Sequence, residues 1–129
     1  MKIRQAEPYS YCQFIMGRDH SARGRARHPF MTGSAGWAYY AATRYMLGIR
    51  PGFDRLTVDP CIPAAWEGFE ASGTGRADYR IRVKNPDHVE KGVRLLEVDG
   101  QTAETIPVFS SGAHSVRVVT GVTEVQTYD

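Results

Sequence analysis

The spacing of the apolar residues changes near residue 50, and one layer of structure cannot satisfy both halves. Before that point Trp37, Tyr40, Ala41, Arg44, Tyr45 and Gly48 recur at the i, i+3, i+4, i+7, i+8 and i+11 positions of a helix face. Alanines fill the gaps, Gly48 stands at a C-terminal glycine stop, and Pro51 follows. The spacing predicts a helix from about Ser34 to Leu47. A weaker helical pattern covers Pro8 to Met16, where Tyr9, Tyr11, Cys12, Phe14 and Ile15 suit a buried helix or an extended segment. Two helices joined by a long basic loop cannot bury so many aromatics alone, so this half reads as the end of something larger.

After residue 50 come short β-branched runs, "LTVD", "YRIRVKN", "RLLEVDG", "TIPVF" and "HSVRVVTG", broken by Gly, Pro, Asn and Asp. In "YRIRVKN" Tyr79, Ile81 and Val83 alternate with Arg80, Arg82 and Lys84, the period of a half-buried strand. Asp99-Gly100 signals a hairpin. "GTGRAD", Gly73 to Asp78, leads into a strand and reads as a turn rather than a phosphate loop. Strands at this spacing predict antiparallel β structure in a small sandwich or roll. Trp66, Phe69 and Tyr79 suit either sugar stacking or core packing, with core packing the expected role.

At 129 residues the chain has room for one domain, or one domain and part of another. A net charge of +2 is too small to argue for nucleic acid or a membrane surface. No apolar run is long enough to span a bilayer. The start, "MKIRQAEPYSY", lacks the apolar core of a signal peptide. Cys12 and Cys61 make no disulfide framework and read as thiols of a cytoplasmic protein, Cys61 packed among its apolar neighbours.

The run "MTGSAGW" opens the predicted helix. A helix N-terminus leaves backbone N–H groups without intrahelical acceptors and carries partial positive charge. Phosphate or sulfate can take those bonds. Thr32 adds a hydroxyl, Gly33 lets the backbone approach closely, and Ser34 stands beside them. The plain alternative is that Thr32 or Ser34 caps the helix. The loop "GRDHSARGRARH" carries Arg18, Arg23, Arg25 and Arg27, which suit steering of an anion or simple solvation. His20 and His28 have no metal-ligand spacing with Cys12 or Cys61, so no metal site is expected. Glu7 and Asp19 are not spaced as an acid–base pair.

Together "EPYSYCQFIMGRDH", "RHPFMTGSAGWAYYAATRYMLGIRPGFDRLTVDPCIPAAWEGF", "YRIRVKNPDHVEKGV" and "LLEVDG" resemble the C-terminal end of the inverting disaccharide phosphorylases. These are the cellobiose and chitobiose phosphorylases of glycoside hydrolase family 94. The resemblance covers most of the chain, from about Glu7 to Gly100. It implies an α+β fragment of a longer enzyme. Residues 1–50 would be the last helices of an (α/α)6 catalytic barrel, and residues 51–129 an antiparallel β-sandwich or jelly-roll-like C-terminal domain. It implies inverting phosphorolysis of a β-linked disaccharide to a sugar 1-phosphate and a free sugar. Inorganic phosphate is then a substrate and no cofactor is needed. The family's phosphate-binding threonine-glycine pair matches Thr32 and Gly33, with Ser34 beside them, and a pocket glutamine matches Gln13. The general acid has no counterpart in this chain, nor do the phosphate site's arginines and histidine; His28 is not that histidine. The remaining partners implied are the rest of the barrel and a second subunit, with no nucleic acid and no membrane. The chain alone is then expected to be inactive. A stand-alone carbohydrate-binding β domain is the alternative.

Overall fold

The computed structural model describes residues 3–7, 10–30 and 33–122. The chain divides into two compact units, residues 1–41 and 42–129.

In the first unit β1 (Phe14–Ile15) pairs antiparallel with β2 (Ala26–Arg27). The Gln13 N–H donates to Arg27 O at 3.1 Å and the Met16 N–H to Arg25 O at 2.9 Å. The amides of this segment therefore cross to a neighbouring strand instead of reaching back along a helix. Of the two readings of Pro8–Met16, its described residues take the extended one, and Tyr11, Phe14 and Ile15 are exposed rather than buried. Pro8 and Tyr9 lie outside the described residues. The basic loop between the strands is a series of tight turns, with Arg23 N–H bonded to His20 O and Arg25 N–H to Ala22 O.

Helix α1 (Ser34–Ala41) closes the first unit and buries none of its residues. The second unit opens with a π-helical turn, Ala42–Met46. Its mark is the bond from Leu47 N–H to Ala42 O at 2.8 Å. Helical structure thus runs close to the predicted bounds, but its last turn is widened. Gly48 then stops it with φ +71°, and a Cβ there would overlap the Asp59 carbonyl. That position requires glycine on both conformational and steric grounds.

Eight strands follow: β3 (Ile49–Pro51), β4 (Arg55–Val58), β5 (Gly68–Thr74), β6 (Asp78–Lys84), β7 (Val93–Val98), β8 (Gln101–Thr102), β9 (Ile106–Pro107) and β10 (Ala113–Thr120). They form a five-stranded sheet in the order β5-β6-β10-β7-β8 and a three-stranded sheet in the order β3-β4-β9. One apolar cluster takes Leu56, Val58 and Ile106 from the smaller sheet and Ile81, Val83, Val98, Val116 and Val118 from the larger. Val116, Val118 and Ile106 are fully buried. The alternation in β6 is seen as expected, with Ile81 and Val83 buried and Arg80, Arg82 and Lys84 exposed. Asp99 and Gly100, with φ of 50° and 82°, form the tight turn joining β7 to β8.

Two expectations need correction. The larger sheet is mixed, because β10 lies parallel to β6 and antiparallel to β7. Alternation of apolar and polar residues is the same in either pairing, so it could not reveal this crossover. Cys61 is exposed, not packed among apolar neighbours. Its backbone is used in a bridge to Lys91, which leaves the side chain outside. Phe69 and Tyr79 do pack against the core, whereas Trp66 remains exposed.

The connection from β6 to β7 is built on Asn85, which is 1% exposed. Its Nδ2 donates to Trp66 O and Val89 O, both at 3.0 Å. Its Oδ1 accepts from Val89 N–H at 3.0 Å and from the Thr120 hydroxyl at 2.7 Å. Every polar group of the amide is satisfied. Replacing Asn85 with alanine removes the partner of the Trp66 and Val89 carbonyls and of the Val89 N–H, and leaves the buried Thr120 hydroxyl with Lys84 O alone. We expect Asn85→Ala to lower the unfolding free energy by about 3 kcal/mol. Thr120→Val removes the hydroxyl that contacts Asn85 Oδ1 and Lys84 O and should cost about 1 kcal/mol. Urea unfolding of the two variants and the double mutant checks both values, and simple additivity would show that the network is not cooperative.

Candidate functional site

At the start of α1 the Trp37 N–H donates to Gly33 O at 3.1 Å. Ser34 is the first residue of the helix and Gly33 stands just before it. Glycine is accepted there because the cap position lies outside the helical backbone conformation. Among the described residues a Cβ on Gly33 would meet only the Trp37 ring edge at 3.9 Å, so the backbone is open to them on that side. Thr32 lies outside the described residues.

Gln13 and Ser34, expected at the site from the sequence, come together. Both line one open cleft of about 850 Å³ within the first unit. Arg4, Ser10, Tyr11, Cys12, Phe14 and Ile15 complete its lining. Gln13 reaches it because β1 fixes the backbone just beyond, through the Gln13–Arg27 bond. Ser34 reaches it from the first turn of α1. The lining combines the aromatic and aliphatic side chains of Tyr11, Phe14 and Ile15 with polar residues, among them Gln13, Ser10, Ser34 and Arg4. That mixture suits a ligand with many hydroxyls, an anionic group, or both.

Arg4 was not anticipated from the sequence. Its guanidinium Nη2 donates to Ser10 O, and its own carbonyl accepts from Ala26 N–H at 2.8 Å. It thus ties the Ser10–Gln13 stretch to the β2 side. Nothing in the local pattern marked it, since it precedes the pocket residues without a motif of its own. The histidines of the basic loop take local roles. His20 Nδ1 accepts from Ala22 N–H at 2.9 Å, and the His28 ring lies 5.6 Å from that of Phe14.

Helix α1 displays aromatics to solvent. Trp37 is 73% and Tyr39 74% exposed, and the Trp37 and Tyr40 rings meet edge to face at 6.0 Å. In the second unit Tyr45 is also exposed, with the Arg50 guanidinium 5.7 Å above its ring.

The family model for the Glycosyl hydrolase 94 superfamily, catalytic domain, matches residues 1–48. The match takes in the cleft, α1 and the glycine stop. The chain belongs to glycoside hydrolase family 94, a family of carbohydrate metabolism. It is 54% identical over 123 residues to the N,N'-diacetylchitobiose phosphorylase of Vibrio furnissii, which covers 94% of this chain and 15% of the relative. Against the N,N'-diacetylchitobiose phosphorylase of Vibrio proteolyticus it is 53% identical over 118 residues, 90% of this chain and 15% of the relative. Against the solabiose phosphorylase of Paenibacillus borealis it is 34% identical over 116 residues, 87% of this chain and 15% of the relative. The chain thus spans about 15% of the length of these curated relatives.

The exposed aromatics generate an expectation for the chain in isolation. Contiguous apolar surface promotes association. We expect the 129-residue chain to self-associate through Trp37, Tyr40 and Tyr45. In sizing chromatography, replacement of the three by serine should shift the chain toward monomer. A wild-type chain that elutes as a clean monomer sinks this expectation.

Proposed function

We propose that the chain is part of an enzyme catalysing inverting phosphorolysis of a β-linked disaccharide, of the N,N'-diacetylchitobiose or cellobiose type, to a sugar 1-phosphate and a free sugar. The observation that carries this reading is the 54% identity to an N,N'-diacetylchitobiose phosphorylase across nearly all of the chain. With the second Vibrio relative at 53%, it favours the N-acetylated disaccharide. On this reading residues 1–50 complete an (α/α)6 barrel and residues 51–129 form a C-terminal β-sandwich-like domain. The family's catalytic-domain match to residues 1–48, and the core shared by the two sheets, support that division. We place the enzyme in the cytoplasm, which the free thiols Cys12 and Cys61 support, working with the rest of its barrel and a second subunit.

The chemistry needs a phosphate oxygen in line with the anomeric carbon, on the face opposite the departing sugar. The new C–O bond forms as the glycosidic C–O bond breaks, with inversion. A carboxylic acid protonates the leaving oxygen, and on the family resemblance that acid lies outside this chain. An inverting hydrolase needs a second carboxylate to activate water. Phosphate is already an anionic nucleophile, so the need shifts to a seat that orients it. We assign that seat to Thr32, Gly33 and Ser34. The open backbone at Gly33 and the amides at the start of α1 support the assignment. Gln13, lining the cleft with Ser34, is assigned to the sugar side of the pocket.

The test is phosphate-dependent cleavage of N,N'-diacetylchitobiose and cellobiose by the protein extended upstream of Met1. We expect release of N-acetylglucosamine 1-phosphate, reduced about a hundredfold in Thr32→Ala, the loss typical of one donor to developing or bound negative charge. The 129-residue chain alone should release none. Unchanged activity in Thr32→Ala would reduce that residue to a structural role. Absence of phosphorolysis with either sugar would favour the carbohydrate-binding alternative.

A further inference from the structure

His114, on β10, stands opposite Tyr79 of β6 in the parallel pairing. Its Nδ1 lies 2.7 Å from Asp99 Oδ2, and its Nε2 lies 3.0 Å from Ser111 O. A carboxylate and a carbonyl only accept hydrogen bonds. A neutral imidazole has one N–H and can satisfy one of them; the imidazolium has two and satisfies both. The Phe109 ring is stacked on the imidazole, 3.6 Å between centroids and 10° between planes. Such a face is attractive to a cation. Asp99 is held in place by Ser115 N–H, which donates to its Oδ1 at 2.8 Å.

We propose that His114 is a proton-dependent clasp, which joins the Asp99-Gly100 turn to the Ser110–Gly112 loop and so fixes Phe109 at the rim of a groove in the second unit. The groove, about 860 Å³, takes Phe53, Arg76, Tyr79, Val108 and Phe109 among its lining. Phe109 is held from both sides. His114 stacks on its ring, and the Tyr79 hydroxyl accepts from its backbone N–H at 2.9 Å while lying 3.2 Å from Pro107 O. Loss of the proton from His114 leaves either Asp99 or Ser111 facing a nitrogen lone pair, and one side of the clasp opens.

The surroundings favour the charged form. From the β7–β8 turn His114 faces the Asp99 carboxylate, from β6 the Tyr79 phenol, and from the β9–β10 loop an uncharged ring and a carbonyl. The bond to Asp99, then that to the Ser111 carbonyl, raise the His114 pKa above the usual histidine value. The His114 bond, then the Ser115 amide, lower that of Asp99. The sign follows from these directions. The contribution of His114 is fully present below the ordinary histidine pKa and is lost as pH rises through the higher folded value. That of Asp99 is present above the ordinary aspartate value and is lost in acid below it.

Hydrogen exchange of the 129-residue chain, wild type against His114→Gln at matched pH, tests the clasp and tolerates self-association. At pH 6 we expect residues 108–113 to exchange about tenfold faster in the variant, the effect of one lost hydrogen bond. The difference should shrink on the alkaline side of the histidine titration, where the neutral ring keeps only one of its two bonds. Ring-nitrogen NMR provides a second reading, with the His114 signal assigned by its loss in His114→Gln. Asp99→Asn should lower the His114 midpoint. An exchange ratio independent of pH, a neutral His114 ring at pH 6, or a midpoint unmoved in Asp99→Asn overturns the proposal.

Discussion

The second unit depends on one buried amide. Asn85 ends β6, and through its side chain and backbone it holds Trp66, Glu67, His88, Val89 and Thr120. Those residues come from the lead-in to β5, the connection to β7, and the end of β10. A chain that places β10 between β6 and β7 must bring three distant stretches to one point. Apolar contacts are not directional and would allow several registers there. Four hydrogen bonds to a fully buried amide allow one, because any slip leaves buried polar groups without partners. The parallel pairing of β6 with β10 is therefore pinned at the Asn85–Thr120 end, next to the only register shift in the β10–β7 ladder among the described residues.

Much of the second unit was legible because local signals decide it. Alternation fixed the faces of β6, and Asp99-Gly100 fixed a two-residue turn whose left-handed backbone those residues accept. What escaped was set by partners far away in sequence. Asn85 lies in "NPDHVEKGV", which reads as an ordinary polar connection, and only its tertiary surroundings make it a hub. The parallel neighbour of β6 escaped for the same reason. Cys61 was misplaced because an apolar setting in sequence says nothing about which way a bridged residue points.

In the first unit the site was legible through resemblance more than through pattern. Periodicity located α1 and Gly48, and the glycine is enforced by both φ and the Asp59 carbonyl. Periodicity could not separate helix from strand over Tyr11–Ile15, a short apolar stretch where both remain open. The apolar face it marked on α1 is exposed. An eight-residue helix with nothing buried gains little from packing, which is the main source of helix stability in proteins. The exposed Trp37 and Tyr39 and the 15% coverage of the relatives point the same way. In the proposed enzyme these aromatics meet the rest of the barrel.

That arrangement has a consequence for the proposed chemistry. A seat made from helix amides and small residues holds an anion by directed hydrogen bonds without adding a titrating side chain of its own. Its strength therefore does not depend on a proton being lost or gained at the seat. What it does depend on is the geometry of the first helical turn. Gly33 accepts a bond of the first turn from Trp37 N–H, and where a side chain would stand its backbone has, among the described residues, only the Trp37 ring edge 3.9 Å away. A larger residue in the cap position would keep the helix bond yet stand in that open space. On the proposed function, helix initiation and anion approach make different demands on one residue, and glycine meets both.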